Sequence, residues 1–126
     1  EERRQGIELE FAVGQVRDVT RDLSDEDAAK LIVAYEPVWA IGTGMVATPD
    51  SAQQAAQAIR RDIQQQFGGK VAKTMRILYG GSVNSSNARQ LLQRPDVDGF
   101  LVGGASLDVE EFARICRLTE KSVKRF

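Results

Sequence analysis

The sequence predicts an α/β fold: a parallel sheet with helices packed on it. Two observations carry this. Short apolar runs rich in β-branched residues alternate with stretches of helical periodicity. Each run then breaks into a loop that opens with glycine or an acid. The order α-β-α-β-α-β-α implies right-handed βαβ units, as in a (β/α) barrel or a doubly wound sheet.

Leu9, Ala12, Val16, Val19 and Leu23 step by three and four, which predicts a first amphipathic helix that Gly14 weakens without ending. Leu31-Ile32-Val33-Ala34-Tyr35 is a continuous apolar run, expected as a strand buried on both faces. Thr48-Pro49 marks a helix start. Threonine caps, and proline at the first helical position loses no needed donor. Ala52, Ala55, Ala56, Ile59, Ile63 and Phe67 form that helix's apolar stripe, and Gly68-Gly69 ends it. A second strand is expected at Met75–Tyr79, broken by Gly80-Gly81. Asn84 can cap a short helix carrying Ala88, Leu91 and Leu92, stopped by Pro95. A third strand is expected at Gly99–Val102, broken by Gly103-Gly104. The last helix holds Val109, Phe112, Ala113 and Cys116.

Composition narrows the functional classes. The 126 residues are 42% hydrophobic and 28% charged, with 17 basic and 18 acidic side chains and a net charge of -1. That balance gives no electrostatic footprint for nucleic acid or an anionic membrane. No apolar stretch approaches the length of a membrane span. The basic tail at Lys121, Lys124 and Arg125 reads as a solvated helix end or a frayed terminus. The single cysteine, Cys116, cannot staple the fold internally. Beside Ile115 it is expected to be a core thiol, and the pattern fits a reducing compartment. Histidine is absent, which removes Cys/His zinc patterns and Ser-His-Asp triads from this chain. The start, Glu1-Glu2-Arg3-Arg4, has no initiator methionine and reads as a fragment.

In parallel α/β folds ligands bind at the carboxyl ends of the strands. All three ends carry unusual residues. After the first comes Glu36, held extended by Pro37. The following Val38-Trp39-Ala40-Ile41 is apolar, and Gly42-Thr43-Gly44 can flex or donate N–H groups. A stiff start, an apolar middle and a flexible end resemble an active-site lid; Trp39 by itself reads more readily as a packed anchor, which is compatible with a lid. Gly80-Gly81-Ser82 follows the second strand and Gly103-Gly104-Ala105-Ser106 the third. Such pairs serve either as tight turns or as anion sites, where glycine adopts positive φ cheaply and lets a ligand approach the backbone N–H groups. Glu36 has a plain alternative too, as a salt-bridged loop residue.

"AYEPVWAIGTG", "ILYGGSVNSSN" and "VDGFLVGGASL" together resemble the C-terminal portion of the triosephosphate isomerase family, in the family's order and spacing. The resemblance covers the whole chain, including the leading "EERRQG", which is similar to the segment after the fifth barrel strand. It implies that residues 1–126 form one part of a (β/α)8 TIM barrel, roughly strands six to eight with their helices. It implies an aldose–ketose isomerase of glycolysis and gluconeogenesis, interconverting dihydroxyacetone phosphate and glyceraldehyde 3-phosphate. By resemblance Glu36 is the catalytic base. Pro37 to Ala47 (Pro37, Val38, Trp39, Ala40, Ile41, Gly42, Thr43, Gly44 and Ala47 among them) is the lid. The backbone N–H groups of Gly42, Ser82 and Gly104, with Gly103 adjoining, cradle the phosphate. Tyr79 and Ser82 latch the closed lid near Ala47 and Gly44. Arg60 is expected to pair with an acid in Asp96-Val97-Asp98.

The resemblance further implies a cytoplasmic homodimer with no cofactor and no metal. The departures are specific. The family's electrophilic histidine, with a neighbouring glutamate, and its lysine and asparagine near the chain start have no counterpart here. Met45 stands where lysine or arginine is common. The isolated chain is therefore expected to be inactive. The alternatives are a different phosphate-binding barrel enzyme and a non-catalytic half-barrel module.

Overall fold

A computed structural model describes residues 2–38 and 46–122 of the chain. Its centre is a three-stranded parallel sheet in the order β1 (Ile32–Tyr35), β2 (Arg76–Tyr79), β3 (Gly99–Phe100). Val33 pairs with Ile77 and Tyr35 with Tyr79, and Tyr79 pairs in turn with Phe100. These residues share the face that the helices cover. Ile77 and Tyr79 are buried there, and Val33, Tyr35 and Phe100 pack against the same core.

The expectation for the first strand needs correction. β1 is not buried on both faces: Ile32 is 58% exposed, and Ala34 beside it on the same side is exposed too. Helices lie on one side of the sheet, so alternate residues of an apolar run are left bare.

Helix α1 (Glu2–Thr20) is followed by the short α2 (Asp25–Ala28), capped by the Ser24 side chain, which accepts from the Asp27 N–H. α1 docks on α3 (Pro49–Phe67) through polar groups as well as apolar ones. The Arg17 guanidinium pairs with Asp62, which is 4% exposed. The Thr20 hydroxyl lies 3.2 Å from Gln66 Oε1. These contacts turn α1 so that Val13, Val16 and Thr20 face inward. Val19, expected in the stripe, is 71% exposed.

α3 forms as its sequence dictates. Thr48 Oγ1 accepts from the Ser51 N–H at 3.1 Å, and Pro49 opens the first turn. Ala52, Ala55, Ala56, Ile59 and Ile63 are buried. Gly68 ends the helix at φ 88°, a left-handed value that glycine tolerates. The chain then forms a further helix, α4 (Gly69–Thr74), that the periodicity did not predict; Val71 and Ala72 bury on it.

α5 (Ala88–Leu92) buries Ala88, Leu91 and Leu92, and the chain reaches Pro95 soon after. Asn84 does not cap the helix as expected, since Asn87 holds the N-cap place without a side-chain cap bond; the Asn84 Oδ1 instead closes the turn before it, accepting from the N–H groups of Ser86 and Asn87. β3 is shorter than expected, with only Gly99 and Phe100 paired as strand, although the Leu101 N–H still donates to Tyr79 O at 3.0 Å. A 3₁₀ turn, Gly104–Leu107, leads into α6 (Val109–Lys121), capped by Asp108. The inward residue of α6 is Ile115, 2% exposed. Cys116 is exposed, which overturns the core-thiol expectation; Phe112 (40%) and Val109 (83%) are exposed as well. Glu111, Ile115 and Leu118 share one helical face, and Glu111 anchors it by accepting from the Ser85 N–H. Residues 112 and 116 are thereby rotated outward.

Arg60 ties the sheet to its connections. Its Nε donates to Asp96 Oδ1 at 2.8 Å and its guanidinium to Asp98 Oδ2 at 2.6 Å. It also donates to the carbonyls of Ala72 and Met75 at the end of α4, and of Asp96 before β3. The pairing with the Asp96–Asp98 stretch is as expected, and it uses both acids.

Candidate functional site

Parallel strands deliver three chain segments to one edge of the sheet: Glu36-Pro37-Val38 after β1, Gly80-Gly81-Ser82 after β2, and the loop through Gly103 after β3. The ladder continues into these loops. The Gly80 N–H donates to Tyr35 O at 2.7 Å, and the Leu101 N–H donates to Tyr79 O. The residue before Glu36 is therefore hydrogen-bonded to the first residue of the neighbouring loop.

Glu36 is exposed at this edge while Pro37 beside it is buried. Proline fixes its own φ and restricts the residue before it to extended backbone, so the carboxylate leaves the strand in a set direction. Val38 is 61% exposed and Ala47 is 6% exposed. Trp39, Ala40, Ile41, Gly42, Thr43 and Gly44, like Met45, lie outside the described residues. The lid and the Gly42 N–H are expectations that rest on them.

The four glycines at the strand ends fall into two kinds. None takes a positive φ; among the described residues only Gly68 does. The conformational-freedom reading of these pairs is therefore corrected. At Gly80 and Gly81 the need is space. A Cβ on Gly80 would sit 2.7 Å from Glu36 Cγ and 3.2 Å from Tyr35 O. A Cβ on Gly81 would collide with the Tyr79 hydroxyl and ring. At Gly103 and Gly104 nothing among the described residues lies within 4 Å of where a Cβ would be, and both residues are exposed. Their backbone is open to solvent.

Tyr79 is 2% exposed and its hydroxyl has no hydrogen-bond partner among the described residues. Burial pushes its pKa up, and the neighbouring Tyr35 pushes it further. Ser82 is exposed, and its carbonyl accepts from Asn87 Nδ2 at 2.9 Å. Asn87 Oδ1 accepts in turn from the Asn84 N–H, so one side chain brackets the loop from Ser82 to Asn84. Glu111 accepts from the Ser85 N–H at 2.5 Å. That hydrogen bond holds its carboxyl below the ordinary glutamate pKa. In the third loop Ser106 Oγ donates to Gly103 O at 2.6 Å. Asn87, Glu111 and Ser106 were not singled out from the sequence. Their only signal is an Asn-x-x-Asn spacing after the glycines and a serine three residues past Gly103. The described residues hold no cluster of three or more acidic, cysteine or histidine groups that could bind a metal ion. No helix among them is long and apolar enough to cross a membrane.

A parallel α/β sheet with its polar loops gathered at the carboxyl ends of the strands belongs to the class of barrel and doubly wound enzymes. Comparison with known proteins resolves the family. The family model described as triosephosphate isomerase matches residues 1–119. The chain belongs to the triosephosphate isomerase family, and its strands and helices are part of that family's (β/α)8 barrel. It is 74% identical over 124 residues to a triosephosphate isomerase of Bifidobacterium longum, covering 98% of this chain and 46% of the relative. The Bifidobacterium adolescentis enzyme is 73% identical over 119 residues, 94% of this chain and 45% of the relative. That of Chloroherpeton thalassium is 48% identical over 120 residues, 95% and 48% respectively. The chain thus spans about half the length of the curated relatives it matches.

Proposed function

We propose that this chain supplies the base and the phosphate-binding loops of a triosephosphate isomerase. One observation carries the reading: Glu36 is exposed at the strand edge with its Cγ against Gly80, beside two loops whose backbone can face a ligand. The family is that of enzymes named triosephosphate isomerase.

In this reading the Glu36 carboxylate removes a proton from the carbon next to the substrate carbonyl. The electron pair left behind moves toward the carbonyl oxygen and gives an enediolate. The protonated Glu36 then returns the proton to the neighbouring carbon, which interconverts dihydroxyacetone phosphate and glyceraldehyde 3-phosphate. The backbone N–H groups of Gly42, Ser82 and Gly104, with Gly103 adjoining, hold the phosphate. The open backbone at Gly103 and Gly104 supports their part in this. Residues 37–47 form the lid that excludes water. Tyr79 and Ser82 latch it near Ala47 and Gly44; the Tyr79 hydroxyl, which has no partner among the described residues, is a donor of the kind this needs. The whole enzyme is a cytoplasmic homodimer of central carbon metabolism. This chain alone gives no turnover, because it contains no histidine to polarise the carbonyl.

The test is an isomerisation assay of the 126-residue chain, alone and mixed with the other half of a relative's barrel. The expected result is no turnover alone and turnover in the mixture. Turnover by the isolated chain refutes the inactivity. In the active mixture Glu36→Asp retracts the carboxylate by about 1 Å and is expected to lower kcat about 100-fold. An unchanged kcat removes Glu36 from the role of base.

A second reading, a phosphate-binding half-barrel without catalysis, is favoured by the bare sheet face around Ile32 and the lack of histidine. It is recognised by phosphate binding and self-association with no turnover in the mixture.

A further inference from the structure

We propose that Gly80 is a positioning residue for Glu36: the missing side chain at residue 80 is the space in which the glutamate's Cγ lies. This rests on the reading of Glu36 as the base. Glu36 O accepts from the Val38 N–H at 2.8 Å, while among the described residues its carboxylate has no ion pair, and packing bears directly on the direction of its side chain. The packing partner is the Gly80 backbone. A Cβ there would stand 2.7 Å from Glu36 Cγ and 3.5 Å from Oε1, and 3.2 Å from Tyr35 O. The carbonyl is backbone, and it is fixed by the 2.7 Å hydrogen bond from the Gly80 N–H. Residue 80 therefore cannot move aside, and any side chain on it must push Glu36 off its place. Gly81 is different in kind, because the group filling its space belongs to Tyr79. The two adjacent glycines thus serve two side chains, and only the first serves the carboxylate. A base that must reach two adjacent carbons of one substrate depends on placement to within a fraction of an ångström.

The experiment combines NMR and unfolding of the chain itself. Carboxyl ¹³C resonances are followed in the parent chain, Gly80→Ala and Gly81→Ala. Gly80→Ala is expected to shift the Glu36 carboxyl resonance. Gly81→Ala is expected to leave it in place while displacing the Tyr79 ring signals. Unfolding midpoints supply the thermodynamic arm. Gly80→Ala lowers the midpoint when residue 36 is Glu, and equally when it is Asp, which keeps a Cγ. The loss shrinks when Glu36→Ala removes that atom, with a remainder from the Tyr35 carbonyl. If Gly80→Ala does not fold, recovery of folding by Glu36→Ala supports the proposal and failure to recover overturns it. An unmoved Glu36 resonance in a folded Gly80→Ala chain, or an equal loss with Ala at 36, also overturns it. None of these readouts uses isomerase activity, so a negative isomerase assay leaves the proposal standing or falling on its own.

Discussion

Tyr79 shows what a single buried side chain can hold in reserve. Its ring is in the core beside Ile77, yet its hydroxyl finds no partner among the described residues. A buried polar group left unpaired costs about 1–3 kcal/mol. Tyr79→Phe removes it without breaking a bond to any described residue, so the variant is expected to be as stable as the parent or up to about 1 kcal/mol more stable by denaturant unfolding. The raised pKa has a sign of its own. The folded state holds the phenolic proton more tightly than the unfolded state, so that contribution is complete below the ordinary tyrosine pKa and is lost as pH rises through the folded value. Tyr79→Phe is expected to remove this alkaline loss, read as a flatter unfolding midpoint on the alkaline side. Glycine at residues 80 and 81 obeys the same rule of occupied space: each is a residue defined by its neighbour's atoms.

At the scale of elements, caps and loop ties decide where helices begin and which face they present. Thr48 satisfies the Ser51 N–H at the start of α3. Thr48→Ala is expected to cost about 1 kcal/mol in thermal or denaturant unfolding. This is a fair test of the Thr-Pro start, because the threonine's contact is local and the site is exposed. Glu111 ties α6 to the loop that carries Ser82, by accepting from the Ser85 N–H. Its carboxyl pKa is held low by that hydrogen bond, so its stabilisation is present above the ordinary glutamate value and fades as pH falls through the folded one. Glu111→Gln is expected to destabilise the chain at neutral pH and to converge on the parent in acid. Unfolding midpoints across that pH range give the comparison, and parallel curves would exclude a titrating tie.

For the molecule as a whole, Arg60 is the cross-link between layers. It reaches from α3 to the two acids just before β3 and to carbonyls at the end of α4. Asp98 is almost fully buried and depends on it. Asp98 Oδ2 also accepts from the Ile77 N–H on β2. Arg60→Leu leaves this carboxylate without its counter-charge and is expected to cost about 3–5 kcal/mol of folding stability. Asp98→Asn in the same background is expected to recover part of the loss, as a double-mutant cycle by denaturant unfolding would show. The second whole-molecule feature is the bare face of the sheet, where Ile32 is exposed. In a (β/α)8 barrel the face opposite the helices lines the interior, filled by side chains from several strands. An apolar run such as Leu31–Tyr35 suits that two-sided burial, although this chain's own helices cover one side only.

Local chemistry was legible in the sequence wherever cause and effect lie within a few residues. The Thr48-Pro49 start, the stop at Gly68 and the exit of Glu36 from a strand end all depend on near neighbours or on the direction of the chain. The pairing of Arg60 with its acids was expected from the family resemblance, and the structure supplies the physical reason: a guanidinium buried at that place needs carboxylates. What tertiary structure alone decided is which atoms share space. Helical periodicity at Ile115 and Cys116 allows several rotations of α6, and the long-range Glu111 tie selected the one that exposes the thiol. The contacts of α1 with Asp62 and Gln66 likewise turned Val19 outward. Gly80 and Gly81 read alike in the sequence, as a turn or an anion site. Only the packing of β1 beside β2 put Glu36 against one and the Tyr79 ring against the other. A sequence records which side chains a residue lacks; the fold decides whose atoms take the space.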